Sequence, residues 1–514
     1  MEGLDSLISA LREKGVQLWV TQGELHYRAD EGLLSPEQIA LLHGHTSEIA
    51  AKLASEQAQS VDSFAPCLQG QVRPVPLAFQ QEYLWDSRDR PLWVVALRIS
   101  GPLDTEILRV SLAKLVIRQA AMRTKFIMAD GEPRQVVDPP GEYKLDVVDL
   151  DGATEEVVRA AIRVFQSELR SRWKAVPSDT LFQARMLRTG IGSYVIVVAI
   201  SFMIADLVSV DIMFRELWAI YGQLMGGRSL SLPHLSLQYS EFAACQRARS
   251  VQQVAPHREY WTRRLSGTER IRFPPDHQLV SSHPPKLAVL PISFSEAFGS
   301  ALSALAQRER TTAAMVMLSV FVGIASSWCR QKDFILECIV NGRLRADLVN
   351  VIGRFVEFLP LRIELSGKET FIELLRLVSQ EFVAAYEHVE FIDVARAAPN
   401  LLDAPGGATC QLVSGLLLGS VPGRPLAREE QSLPFSVEDF RISTDWESEL
   451  PDDYQADVHC FLVSASYGIV GSLCYRPELF KRSTMQRFLH QYRLLAERAI
   501  QNPYGTVVGY RDAK

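Results

Sequence analysis

The sequence lacks an apolar run long enough to cross a bilayer. Its most hydrophobic stretch, Ala313 to Ala325, falls short of the ~20 residues a spanning helix needs and is expected to be a buried helix. The amino terminus, MEGLDSLISALREKG, carries acidic residues where a secretory signal has a continuous apolar core, so a cytoplasmic location is expected. A basic surplus is missing too. The formal charge of −6 over 514 residues and a pI near 6.0 leave no broad cationic field to gather nucleic-acid phosphates. Cysteines are few and scattered: Cys67, Cys245, Cys329, Cys338, Cys410, Cys460 and Cys474 include no pair at metal-ligand spacing, which predicts reduced structural thiols and no metal centre. Cys460 has Asp457 and His459 nearby, but neighbours on a strand face opposite ways, so His459 is badly placed to activate it.

What is present is an ordinary folded composition, 47% hydrophobic and 22% charged, with length for about three folding units. The first is read as residues 1–57. Leu4, Leu7, Ile8 and Leu11 recur at helical spacing before Gly15. Val16, Leu18 and Val20 then alternate, Gln22-Gly23 supplies a turn, and Leu25 and Tyr27 alternate back, predicting a hairpin. Ser35 before Pro36 and Glu37 starts a helix carrying Ile39, Leu41 and Leu42, and another is expected from about Ser47 to Leu53.

The order helix, hairpin, helix, helix, with the wording LISALREKGVQLWV, GELHYRA and LLSPEQIALLHGHTSEIAAKL, resembles the TubC-type N-terminal docking domain of hybrid peptide synthetases. The resemblance implies that the hairpin accepts the C-terminal segment of an upstream synthase as an added strand. Val16, Leu18, His26 and Arg28 are then the docking candidates, and Lys14, His26 and Arg28 suit an acidic peptide. The alternative is a small cap packed on its own chain.

Residues 58–73, rich in Ala, Ser, Gln and Pro, read as a linker. From Pro74 onward strand-like runs and helices alternate, which predicts α/β layers. Asp104 caps a helix bearing Ile107, Leu108, Leu112, Leu115 and Val116, and Asp130-Gly131 turns strand Thr124–Met128 into Arg134–Val137. A Pro-, His- and Ser-rich break at 274–285 divides a first lobe, 74–273, from a second, 274–505, and 506–514 reads as the start of a further linker in an excised fragment.

The most informative segment is Tyr194 to Met225, where a strand end leads through a tight corner into a helix, a common place to mount catalytic groups. The run YVIVVAI is too apolar and β-branched for a surface strand, and Val208 to Met225 has Ile212, Leu217 and Ile220 at helical spacing. Between them, Ser201-Phe202-Met203-Ile204-Ala205-Asp206-Leu207 offers a single ionisable group, Asp206. On these residues alone Asp206 is a helix N-cap or an ion-pair partner.

This segment occupies the place of the H-H-x-x-x-D-G motif of nonribosomal condensation domains, relatives of chloramphenicol acetyltransferase. PLAFQQEYLW resembles their opening P-L-S-x-x-Q-x-x-L-W, REYWTRRL their Y-W-x-x-x-L, and NGRLRADLVNVIGRFVEFLPLR their N-R-x-R and I-G-x-F-V-N-T-L-P-L-R. The stretch SGPLDTEILRVSLAKLVIRQAAMRTKF resembles the surroundings of R-H-E-x-L-R-T. The resemblance implies two chloramphenicol-acetyltransferase-like α/β lobes forming a V around a central tunnel, where an imidazole orients or deprotonates an amine attacking a carrier-bound thioester. It also implies that the carriers bring their own 4′-phosphopantetheine and that this chain holds no cofactor.

Departures cluster at the motif. Ser201 and Phe202 stand at the histidine positions, Leu207 at the glycine and Gln119 at the histidine after Arg118. Phenylalanine has no lone pair for a proton, and Ser201 has no base beside it in sequence. Asp206 remains; the resemblance makes it structural, paired with Arg343 or Arg345. Trp85 and Glu357 are candidates for the tunnel wall, and Glu357 is a candidate base, though its residue type first suggests a surface ion pair. His459 is the best outside candidate for the lost imidazole. Three readings follow: an amide-forming domain with impaired or unorthodox catalysis, a non-catalytic domain that docks and gates carriers, or a divergent heterocyclization domain. The last has D-x-x-x-x-D here, matched only at Asp206, and its G-D-F-T reads Gly353-Arg354-Phe355-Val356.

Overall fold

The computed structural model describes residues 17–21, 24–28, 74–85, 92–175, 180–227, 231–277, 287–391, 408–413, 433–439, 457–465 and 468–507. Contacts divide the chain into Met1–Gln71 and Val72–Lys514. In the first unit, Gln17–Thr21 and Glu24–Arg28 pair antiparallel, in register from Gln17 opposite Arg28 to Thr21 opposite Glu24. This is the hairpin that the alternation predicts. Val16 and the three expected helices lie outside the described residues.

The second unit has two α/β halves, neither closed into a barrel. The sheet of the first runs Ser436–Asp439, Leu92–Ser100, Ser193–Ser201, Phe182–Gly190, Asp146–Asp149, antiparallel except for its last pair. Its middle strand is buried at every residue from Val195 to Ser201, which is why YVIVVAI does not alternate. Asp104 caps Thr105–Arg118 by accepting from the Glu106 and Ile107 N–H groups. Thr124–Ala129 and Glu132–Val137 form a hairpin whose turn residues Asp130 and Gly131 both have positive φ, 54° and 79°. A two-residue turn of that hand matches strand twist and favours Asp-Gly.

The second half's sheet runs Ala288–Ser295, Gly468–Tyr475, Val458–Ala465, Ala408–Val413, Asp333–Asn341, Val356–Glu364, with Arg272–Phe273 beside Ala408–Val413. Ala313–Cys329 is a core helix, buried continuously from Ala314 to Ala325. Among the described residues no single helix is long and apolar enough to cross a membrane.

The halves exchange chain. Ser436–Asp439 follows second-half strands in sequence yet pairs with Leu92–Ser100. Leu348, Val351, Ile352 and Phe355 likewise pack into the first half's core. The strand Val356–Glu364 therefore starts beside the corner that follows Ser193–Ser201, where Phe355 N–H bonds Asp206, and the candidate site lies there.

Candidate active site

The strand Ser193–Ser201 ends in a corner, and the helix Leu207–Met225 leaves it with Asp206 as its N-cap. The Asp206 carboxylate, 4% exposed as a residue, accepts five hydrogen bonds. Oδ1 takes Ser209 N–H at 2.8 Å, Ser209 Oγ at 2.8 Å and Arg343 Nη2 at 3.0 Å. Oδ2 takes Arg343 Nη1 at 2.7 Å and Phe355 N–H at 3.0 Å. Asp206 is thus both N-cap and ion-pair partner. Burial pushes its carboxyl up, but the Arg343 guanidinium and the Ser209 hydrogen bonds together outweigh burial and hold it below the usual carboxylate range. Arg343 also reaches Val351 O and Asn341 Oδ1 and lies over the Phe355 ring. Arg345 does not join this pair: its side chain turns to Asp347, with Nε 3.0 Å from Oδ1.

Around the corner, buried amides hold the backbone. Gln81 accepts from Ala78 N–H and donates to Met203 O, both at 2.9 Å. Gln119, fully buried, donates to Glu216 and Asn350 O and accepts from Ile352 N–H at 3.0 Å. Glu216 also takes a two-nitrogen contact from Arg118. Gln119 therefore keeps the scaffold joined where the resemblance places a histidine.

The two histidine positions and the glycine position hold no general base. Ser201 is 1% exposed, and its Oγ accepts from Met203 N–H at 3.2 Å. Phe202 is half-buried, stacked on Trp93 at 4.6 Å between centroids, with the Arg354 guanidinium 6.0 Å from its ring. Leu207 is the first helical residue. Trp85 packs on Phe126, 6.1 Å between rings.

Two expectations need correction. Glu357 is no surface residue: it is 2% exposed and accepts from Gln80 Nε2 at 2.5 Å. The alternation Phe355, Glu357, Leu359, Leu361, Ile363 places it on a face that is otherwise apolar and buried, a signal already in the sequence. His459 does not stand in for the lost imidazole. It lies on Val458–Ala465, separated from Val356–Glu364 by two strands, roughly 14 Å at ~4.8 Å per step. Burial lowers its pKa to about 4 and raises that of Cys460 to about 12, which leaves both uncharged near neutrality. Among the described residues no group of three or more His, Cys, Asp or Glu is placed to hold a metal. Sequence reasoning did not single out Gln80, Gln81, Trp93, Ser209 or Arg354. Gln80 and Gln81 stand in the opening motif PLAFQQEYLW, where two uncharged amides amid apolar residues were their signal.

A strand-to-helix corner clamped by a buried aspartate–arginine pair, between two α/β halves that exchange strands, defines a two-lobed condensation-type protein. Residues 92–510 match the condensation domain family, and the chain belongs to it. Residues 4–54 match the TubC N-terminal docking domain. Malpinin synthetase of Mortierella alpina is 28% identical over 87% of this chain and 6% of its own length. Phosphinothricin tripeptide synthetase PhsC of Streptomyces viridochromogenes is 26% identical over 91% and 42%. The chain thus spans less than half the length of these relatives. Among solved structures, the EpoB cyclization-docking bidomain from Sorangium cellulosum covers 98% of this chain and 99% of its own at TM-score 0.72 and 19% identity. The X-domain from teicoplanin biosynthesis covers 86% and 98% at TM-score 0.67 and 18% identity. At such identities the structures speak for the fold alone.

Proposed function

We propose that the second unit joins an acyl group on one carrier protein to an amine on another, both presented on phosphopantetheine arms, with turnover far below that of an imidazole-bearing relative. The observation that carries this is the contrast at the corner. The Asp206–Arg343 clamp and its amide supports are complete, while Phe202 stands at the functional imidazole's position. A thioester is already activated and a neutral amine is a good nucleophile, so holding the two together supplies much of the acceleration. Losing an imidazole base costs about 10²–10⁴-fold.

The hairpin Gln17–Arg28 is assigned to an acidic C-terminal segment of an upstream synthase. Deleting residues 1–57 is expected to abolish that complex and leave the second unit folded; unchanged affinity would remove the assignment.

Single-turnover product formation with loaded donor and acceptor carriers tests the catalytic reading. Wild type is expected to form amide slowly. Phe202→His with Leu207→Gly should raise the rate, and Ser201→Ala should change it little. Wild-type turnover at an imidazole-bearing relative's rate would refute the impairment, and a large loss in Ser201→Ala would point to hydroxyl-dependent chemistry. The stack of Phe202 on Trp93 favours a second reading, a domain that binds and gates carriers without chemistry. Carrier binding with no product from wild type would establish it.

A further inference from the structure

We propose that His257 and His388 form a proton-operated latch: closed, it holds the turn 386–391 on the helix Tyr239–Leu265, and a second proton on the pair opens it. The latch lies outside the motif corner but is tied to it through Tyr386. It is independent of the amide-forming reading above.

That helix joins the two halves. Tyr239, Phe242 and Ala243 pack in the first half's core, Trp261 and Leu265 in the second's. Between them stands Pro256, which has no N–H to give the helix and weakens it one residue before His257. The opposing turn follows the helix Phe371–Tyr386 and is pinned on two sides. Toward the long helix, His388 Nδ1 lies 2.9 Å from His257 Nδ1, the His388 carbonyl accepts from Trp261 Nε1 at 3.3 Å, and Glu390 pairs with Arg249 at 2.7 Å. Toward the corner, the Tyr386 hydroxyl donates to Asn341 O. Asn341 Oδ1 in turn accepts from Arg343 N–H at 3.2 Å and Nη1 at 3.1 Å, and Arg343 clamps Asp206.

Two ring nitrogens at 2.9 Å must share one hydrogen, since one has to donate and the other to accept. The neutral pair meets this demand, and so does the singly charged pair. The surroundings put the first charge on His388. Its ring stacks on Tyr260, 3.8 Å between centroids and 11° between planes, and an aromatic face attracts a cation. The Glu387 carboxylate favours the same charge. His257 instead feels Arg249 and His388 itself. A second proton would set two N–H groups against each other at Nδ1, and the contact cannot survive that, whatever else His257 touches.

Arg249, Tyr260, Arg263 and Arg264 on the long helix, and Glu381, Glu387 and Glu390 opposite, lie around the pair and its Tyr260 cover. The arginines stay charged throughout, Arg264 on Glu364 and Glu381 and Arg249 on Glu390. Burial pushes the Glu390 carboxyl above its ordinary range, so that group needs its own control. Burial also holds both histidines below their ordinary value. The latch is therefore intact above the free-histidine value of ~6.5 and weakens as pH falls below it, because only the opened pair accepts the second proton. One extra proton taken up at that value raises opening about tenfold between pH ~7.5 and ~5.5.

The test is backbone hydrogen exchange of the full chain at pH ~7.5 and ~5.5, corrected for the intrinsic rate at each pH. Protection at residues 386–391 and 341–355 should fall about tenfold in acid, while the strand Ser193–Ser201 keeps its own. His388→Asn sets opposite His257 an amide that can donate or accept, so His257 can take its proton without losing the contact. Its acid response should shrink to within about twofold. Glu390→Gln removes the other group that titrates in this range and should keep the full response. A wild type equally protected at 386–391 at both pH values overturns the proposal. So does a folded His388→Asn that still responds about tenfold, and so does a Glu390→Gln that no longer responds, which would move the switch to the carboxylate. A response at 386–391 with none at 341–355 overturns the tie to the corner. If His388→Asn fails to fold, His257→Asn makes the same comparison from the helix side.

Discussion

Replacing Arg343 by methionine should unfold this protein at markedly lower denaturant concentration. The side chain is 2% exposed and the carboxylate it serves 3%, so neither charge is shared with water. Removing the guanidinium leaves Asp206 with the Ser209 N–H, Ser209 Oγ and Phe355 N–H as donors and no counter-charge. Breaking a buried pair from one side costs about 3–5 kcal/mol, a third or more of a typical domain's stability. Asp206→Asn strands the guanidinium at similar cost while still accepting from the backbone. In the double variant Asp206→Asn/Arg343→Met no charge is left buried, so the two costs should fall short of adding by at least ~1 kcal/mol.

Acid should erase the difference. The folded-state pKa of Asp206 is depressed. The pair's contribution is therefore fully present above the unfolded-chain value of ~3.9 and is lost as pH falls through the lower folded value. Urea titrations of wild type and the three variants, at neutral pH and at the lowest pH where wild type folds, provide the assay. Additive costs, or an Arg343→Met midpoint equal to wild type at neutral pH, would refute the reasoning.

Gly353→Ala should be destabilising by about 3 kcal/mol or more, because an added Cβ would lie 2.0 Å from the Tyr239 ring; Tyr239 is locked by its bond to Arg354 O at 2.6 Å, and thermal melting reads the loss. Gln119→Leu should cost roughly 1–3 kcal/mol for each group it strands, principally Ile352 N–H and the Glu216 oxygen; denaturant midpoints measure it, and an unchanged midpoint would show that water replaces the amide.

Much of the scaffold was legible because local pattern and tertiary demand agreed. The run YVIVVAI has no alternation, and only a strand covered on both faces tolerates that; Ser193–Ser201 is such a strand. Asp130-Gly131 between two strand-like runs admits few turns. The choice between Arg343 and Arg345 was not legible, since both lie on the same short segment. It is settled by direction: Arg343 turns into the corner, while Arg345 caps its own loop on Asp347.

Glu357 shows why the site was harder to read than the fold. Residue type says that a glutamate belongs on the surface, whereas the period of the strand says that this one shares a face with Phe355, Leu359 and Leu361. The structure sides with period: all four are buried. Registry in a sheet is all or none, since shifting one residue outward would turn every neighbour with it. A strand that must bury Phe355, Leu359, Leu361 and Ile363 therefore carries Glu357 inward regardless of its charge. The sequence could have relieved that cost with an asparagine, the residue of the family pattern, and it did not.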